Sequence, residues 1–232
     1  MRTPTKLTAA GLASAVALAV PASAGAQATL EVDPVAPCYR EQTTVRLPGT
    51  GFTQNGSVVF TRDTRQIGDP IVADPSGQVF AQLTLPGLLS GQQRLTYVAT
   101  DAMDPARTAQ VSLLVTATDV ELEPEGGAPH RLLTIGARGF FGDGGRLYAH
   151  IVRTGKRAGR ARNTRIGRLT GPCKVLRAKR RLFFRDTAPG RYRVQFDTFR
   201  RYRASRIEKA VFVVTVFRTA GTARATGLSP AS

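Results

Sequence analysis

Arginine dominates the chemistry open to this chain. Between Asp143 and Asp186 the sequence carries 14 Lys+Arg and no acid. Its dense parts supply Arg153, Lys156, Arg157, Arg160 and Arg162, and then Lys179, Arg180 and Arg181. A third group, Arg200, Arg201, Tyr202, Arg203 and Arg206, follows Phe199. Guanidinium forks match phosphate and carboxylate oxygens, and nearby rings stack on guanidinium, sugar or base. These residues form the candidate polyanion-binding set. Phosphate-bearing wall polymers or acidic polysaccharides are the expected partners, and nucleic acid is not the expected principal one.

Other chemistry is thin. With 2 His and 2 Cys, the chain has little material for His-rich metal sites or Cys-based zinc sites. It contains no H-E-x-x-H and no G-x-S-x-G. Arg153-Thr154-Gly155-Lys156 has the look of a phosphate loop, but His150 stands where that motif needs glycine and Arg157 where it needs Ser or Thr. His150, in Leu147-Tyr148-Ala149-His150-Ile151-Val152, is expected on the outer face of a strand; His130 is expected solvated in a Gly/Pro loop. No catalytic residue, cofactor or metal site is assigned. The expected function is a non-enzymatic binding or structural module; a secreted enzyme with an unrecognised site and a passive spacer are the alternatives.

The formal net charge is +17, and its placement is uneven. Residues 29–118 carry 6 Arg against 8 acids, whereas 119–218 carry 24 Lys+Arg against 8 acids. Coding bias toward arginine would act on both halves alike. The contrast therefore points to a polyanionic partner for the second half.

Residues 1–28 have the anatomy of a cleaved secretory signal peptide. Arg2 and Lys6 precede an uncharged run from Leu7 to Val20, and Ala22-Ser23-Ala24 and Ala26-Gln27-Ala28 offer small-residue cleavage sites. Cleavage after Ala28 is the preferred expectation. No later segment is apolar for long enough to span a bilayer as a helix. A secreted protein, free or held non-covalently at the cell envelope, is expected.

Short β-type runs must position the basic residues. In the first half they are 29–33, 43–48, 57–62, 78–85, 94–100 and 109–116. The second half repeats the scheme with 119–123, 131–137, 146–153, 164–169, 177–184, 191–198 and 210–217. Alternation is clearest in Arg191-Tyr192-Arg193-Val194-Gln195-Phe196, and Gly51-Phe52 recurs as Gly139-Phe140 at a matching point. The expectation is all-β: two β-sandwich domains at 29–117 and 118–218, followed by a disordered tail at 219–232.

Leu47-Pro48-Gly49-Thr50-Gly51-Phe52-Thr53-Gln54-Asn55-Gly56-Ser57-Val58 resembles the opening of bacterial immunoglobulin-like domains. Asp74-Pro75-Ser76-Gly77-Gln78-Val79-Phe80 fits the same pattern. Such domains are common in secreted proteins of high-GC Gram-positive bacteria, so the resemblance implies tandem immunoglobulin-like domains of actinobacterial type. It is clearest in the first half and extends to the second by analogy. Neocarzinostatin-like apoproteins share the opening, but their four cysteines are missing here, and chromophore binding is not carried over.

Cys38 and Cys173 fall one in each expected domain. Tracing the chain through two sandwiches puts both at the ends that face each other. An interdomain disulfide is expected, with free thiols or an intermolecular bridge as alternatives.

Overall fold

A computed structural model describes residues 27–125, 128–142, 144–155, 161–219 and 222–230. No helix occurs among the described residues. The first nine strands are β1 (Thr29–Leu30), β2 (Tyr39–Arg40), β3 (Thr44–Thr50), β4 (Ser57–Arg62), β5 (Arg65–Gln66), β6 (Ile71–Val72), β7 (Val79–Thr84), β8 (Gln92–Asp101) and β9 (Thr108–Thr116). Sheet order β1-β3-β7 packs on β2-β9-β8-β4-β5, with β6 on β4. Inward residues alternate along the strands, as Val45 and Leu47 on β3 and Leu95, Tyr97 and Ala99 on β8.

The remaining strands are β10 (Asp119–Glu123), β11 (Leu133–Arg138), β12 (Arg146–Arg153), β13 (Arg162–Arg168), β14 (Leu176–Arg180), β15 (Gly190–Asp197), β16 (Ala210–Thr219) and β17 (Thr222–Pro230). They form β10-β11-β14 against β13-β12-β15-β16-β17. A second core, separate from the first, includes Ile135, Phe140, Leu147, Val194 and Phe196. Both halves share one plan. The smaller sheet takes an opening hairpin-like pair, β1-β3 or β10-β11, and the strand just before the long pair β8-β9 or β15-β16. That is the strand partition of an immunoglobulin-like sandwich. A corner at Tyr192 adds to it, since its hydroxyl donates to the Ala188 carbonyl at 2.6 Å.

The structure revises one expectation of the sequence reading. Thr222–Pro230, expected to be disordered, pairs antiparallel with β16. The open edge of β16 offers a row of unmatched N–H and C=O groups, and backbone pairing needs no apolar side chains. In the turn before β4, Asn55 takes a positive φ of 55° and Gly56 does not. Gly56 is needed for space instead, because a Cβ there would sit 2.9 Å from Thr53. The expected signal segment lies outside the described residues up to position 26. Ala28, its expected last residue, is 8% exposed and belongs to the first core.

Cys38 and Cys173 are bonded, with Cα atoms 5.3 Å apart, so the disulfide joins the two sandwiches. Glu41 reinforces the junction. Its two carboxylate oxygens accept from Leu88 N at 2.7 Å and Thr118 N at 2.9 Å. Thr118 in turn donates to Gly139 O at 3.2 Å, and Gly139 N donates to Cys173 O at 3.0 Å.

Candidate polyanion-binding face

Arginine-lined hollows lie on the outer face of the larger sheet of the second sandwich. On β12, Leu147, Ala149 and Ile151 turn into the core, so Arg146, Tyr148 and His150 point the other way. The loop 198–209, between β15 and β16, folds back over part of this face. It covers His150, Gln195 and Asp197, all of them 0% exposed.

His150 was expected on an outer face, and it is on one, but it is not exposed. Its Nδ1 lies 2.7 Å from Asn163 Oδ1 and its Nε2 lies 3.0 Å from Asp197 Oδ1. Acceptors on both sides suit an imidazolium with both nitrogens protonated. Burial pushes the imidazole pKa down. The bonds to Asp197 and Asn163 outweigh this, leaving it above its ordinary value. Asp197 shows the complementary balance. Burial raises its pKa, but bonds from His150, Gln195 and Phe199 N bring it below the usual carboxylate value. Gln195 also donates to Arg203 O at 3.0 Å, tying the loop down. Enclosed in this way, the His–Asp pair orders a loop and offers a substrate no access.

Two open hollows adjoin beside this network. One is lined by Asn163, Phe199, Arg200, Arg201, Arg203 and Arg206. The other is lined by Arg146, Tyr148, Arg162, Asn163, Arg165 and Arg200, with Ala161. They meet at Asn163 and Arg200, and no carboxylate lines either. The Arg162 guanidinium stacks 4.3 Å from the Phe184 ring centroid, and that of Arg206 stacks 3.6 Å from Phe199. Glu208 secures the end of the loop by accepting from Phe141 N and Gly142 N, and it lies 3.9 Å from Arg40 of the first sandwich.

The candidate residues therefore separate. Arg200, Arg201, Arg203 and Arg206 come together around the hollows. Arg162 borders one of them but pairs opposite core-facing Ile151, which directs its side chain to the other side of the sheet, onto Phe184. Tyr202 lies beneath the loop, its ring 5.8 Å from His150. Arg153 turns away and donates to Pro189 O at 2.5 Å. Lys179, Arg180 and Arg181 lie on or just past β14, in the smaller sheet. Arg181 there donates to His130 O at 3.1 Å. Lys156, Arg157 and Arg160 lie outside the described residues. The sequence reading missed Arg146, Arg165 and Asn163. Strand pairing could have found two of them, since Tyr148 lies opposite Arg165 and His150 opposite Asn163.

Among the described residues, no group of three His, Cys, Asp or Glu could hold a metal ion. No helix there is long and apolar enough to cross a membrane.

No protein-family model matches the chain, and no curated protein matches its sequence. Solved structures are similar in outline. One is a Corynebacterium diphtheriae protein described as membrane-anchored, at 12% identity and a TM-score of 0.35. The match covers 81% of this chain and 54% of that one, so this chain spans about half its length. Another is the fibronectin(III)-like modules of CbhA from Clostridium thermocellum, at 13% identity and a TM-score of 0.27. That match covers 88% of this chain and 91% of the other. The fold assignment rests on strand order, not on these likenesses.

Proposed function

We propose that this is a secreted, non-enzymatic binding module of the actinobacterial cell envelope, whose second sandwich holds anionic polymer on the outer face of its larger sheet. The observation that carries the reading is the pair of adjoining hollows lined by arginines and no carboxylate. Elsewhere arginines do have acids beside them, as Arg107 with Asp104 and Arg138 with Asp119 and Glu121. A disulfide supports an oxidising compartment. The burial of Ala28 favours signal cleavage at the earlier site, after Ala24. The clamped junction also supports a spacer role, in which the first sandwich sets the direction in which the basic face is presented.

Salt elution from heparin and from wall-polymer resins tests the reading on the full mature chain. Arg165→Glu with Arg200→Glu alters the hollows. Lys179→Glu with Arg180→Glu makes the same change of charge on the other sheet. The first pair is expected to elute at clearly lower salt than the second. Equal shifts would reduce the effect to net charge and overturn the assignment of a face.

A further inference from the structure

Asn163 stands where the two hollows meet, and it is bonded to a group that titrates. It lies on β13, an edge strand of the larger sheet, opposite His150 on the outer face. Its Oδ1 is 2.7 Å from His150 Nδ1. Asn163 is exposed whereas His150 is fully buried, so this amide bridges the covered network and the open surface. With Oδ1 turned to the ring, the Nδ2 end, a double donor, is the end left for the hollows.

An imidazolium satisfies both of its neighbours, donating from Nδ1 to Asn163 and from Nε2 to Asp197 at 3.0 Å. A neutral ring has one proton for the two acceptors. Asp197 keeps it, because a carboxylate accepts more strongly than an amide oxygen. That carboxylate is itself fixed by Phe199 N at 2.8 Å and Gln195 Nε2 at 2.7 Å. Nδ1 is then a bare acceptor facing Asn163 Oδ1. Turning the amide end for end restores the bond, with Nδ2 donating to Nδ1. The same turn brings Oδ1 toward the hollows, so their shared centre changes from a donor to an acceptor.

Resting on the polyanion reading above, we infer that Asn163 donates to bound anion only while His150 carries both ring protons, so that polymer binding is strong in mild acid and weakens in base. The groups around His150 leave the switch to this ring. Asp197 on β15 is the acid in contact with it. Its own strand brings Tyr148, and β13 brings Arg165 beside Asn163. The loop 198–209 brings the Tyr202 ring at 5.8 Å and the cations Arg200, Arg201, Arg203 and Arg206. Arginine and tyrosine keep their charge state across the range in which imidazole titrates. Burial lowers the His150 pKa, and the bonds to Asp197 and Asn163 bring it above 6.5, so the change falls on the alkaline side of that value.

The test measures affinity of the full chain for dextran sulfate, whose sulfate esters stay ionised, at roughly pH 5 and roughly pH 9 and equal salt. Binding is expected to be about tenfold tighter at the lower pH, the scale of one charge-assisted hydrogen bond. Asn163→Ala should fall at the lower pH toward the wild-type level at the higher one, and His150→Gln should flatten the difference. His130→Gln, which alters the other histidine of the chain, should keep it. Equal wild-type affinity at the two pH values would overturn the proposal. So would a full difference in Asn163→Ala or His150→Gln, or its loss in His130→Gln. Asn163 is exposed on an edge strand, so its variant carries the test even where His150→Gln does not fold. Linkage supplies a second readout, because an anion that favours protonated His150 must raise the midpoint of its ring titration. Nuclear magnetic resonance should show that rise on adding dextran sulfate, and an unmoved midpoint with polymer bound would overturn the proposal. If dextran sulfate is retained at neither pH, the polyanion reading itself fails, a result distinct from binding that ignores pH.

Discussion

Asp101 and Asp197 stand at the same point of the two sandwiches. Each ends the central strand of its larger sheet, is 0% exposed, and accepts from the backbone N–H two residues on. Those donors are Met103 N and Phe199 N, both at 2.8 Å. In both, burial raises the carboxyl pKa and hydrogen bonds bring it below the ordinary value. They differ in the partner of the other oxygen. Asp101 receives Thr53 N at 2.6 Å, whereas Asp197 receives Gln195 Nε2 at 2.7 Å. The turn device is shared, and in the second sandwich it extends into a side-chain network that holds the basic loop in place.

That network makes stability depend on pH in a definite direction. The His150 pKa is raised above 6.5, so its contribution is complete below 6.5 and is lost as pH rises through the raised value. The Asp197 pKa is lowered below 3.8, so its contribution is complete above 3.8 and is lost as pH falls through the lowered value. The pair therefore supports the second sandwich best between those limits. Urea midpoints of the full chain should be higher at roughly pH 5 than at roughly pH 9, and His150→Gln should shrink that difference. A difference of the same size in the variant would remove His150 as its source.

The disulfide is expected to stabilise the chain strongly. It closes a separation of 135 residues, and the chain-entropy account puts such a closure at roughly 4–5 kcal/mol. Cys38 and Cys173 are buried, so reduction should be slow until the junction opens. Replacing both cysteines with serine should lower the urea midpoint markedly. Glu41→Gln, which weakens the clamp on Leu88 N and Thr118 N, should lower it by less. X-ray scattering of the double serine variant should show a broader spread of interdomain distances. An unchanged midpoint and scattering profile would mean that the noncovalent clamp alone fixes the junction.

Much of the framework was legible because side-chain period and turn residues coincide. Ser57–Arg62, Asp119–Glu123 and Arg146–Arg153 form strands with the bounds read from sequence. The short strands gave no such signal, because Arg65–Gln66 and Ile71–Val72 are too brief to show a period. β17 was hidden because its pairing is made by backbone. For His150 the side of the sheet was legible and its cover was not. A polar residue on an outer face reads alike whether water or a loop lies over it, and the arginine-rich loop 198–209 does not read as a lid. The charge of the second half was likewise plain, but its division was not. β13 and β14 are neighbours in sequence and belong to different sheets, which parts Arg162 from Lys179.

Gly139 carries the last prediction. Gly51 and Gly139 follow β3 and β11 with φ of 84° and 75°, and each abuts the segment leading into its own sandwich. A Cβ on Gly139 would lie 2.1 Å from the Ala117 carbonyl oxygen, a backbone atom that yields only if the linker moves. Gly68 has a similar φ of 68° and nothing within 4 Å, so it isolates the conformational effect. The left-handed backbone alone costs a non-glycine residue about 1–2 kcal/mol, which is the loss expected for Gly68→Ala. Gly139→Ala adds the collision and should lose more than about 3 kcal/mol. Because Gly139 N also bonds Cys173 O, the same change should speed reduction of the disulfide. Urea unfolding and thiol titration of the two variants check this together. Equal losses would show that the linker relaxes freely and that the junction is not held by this contact.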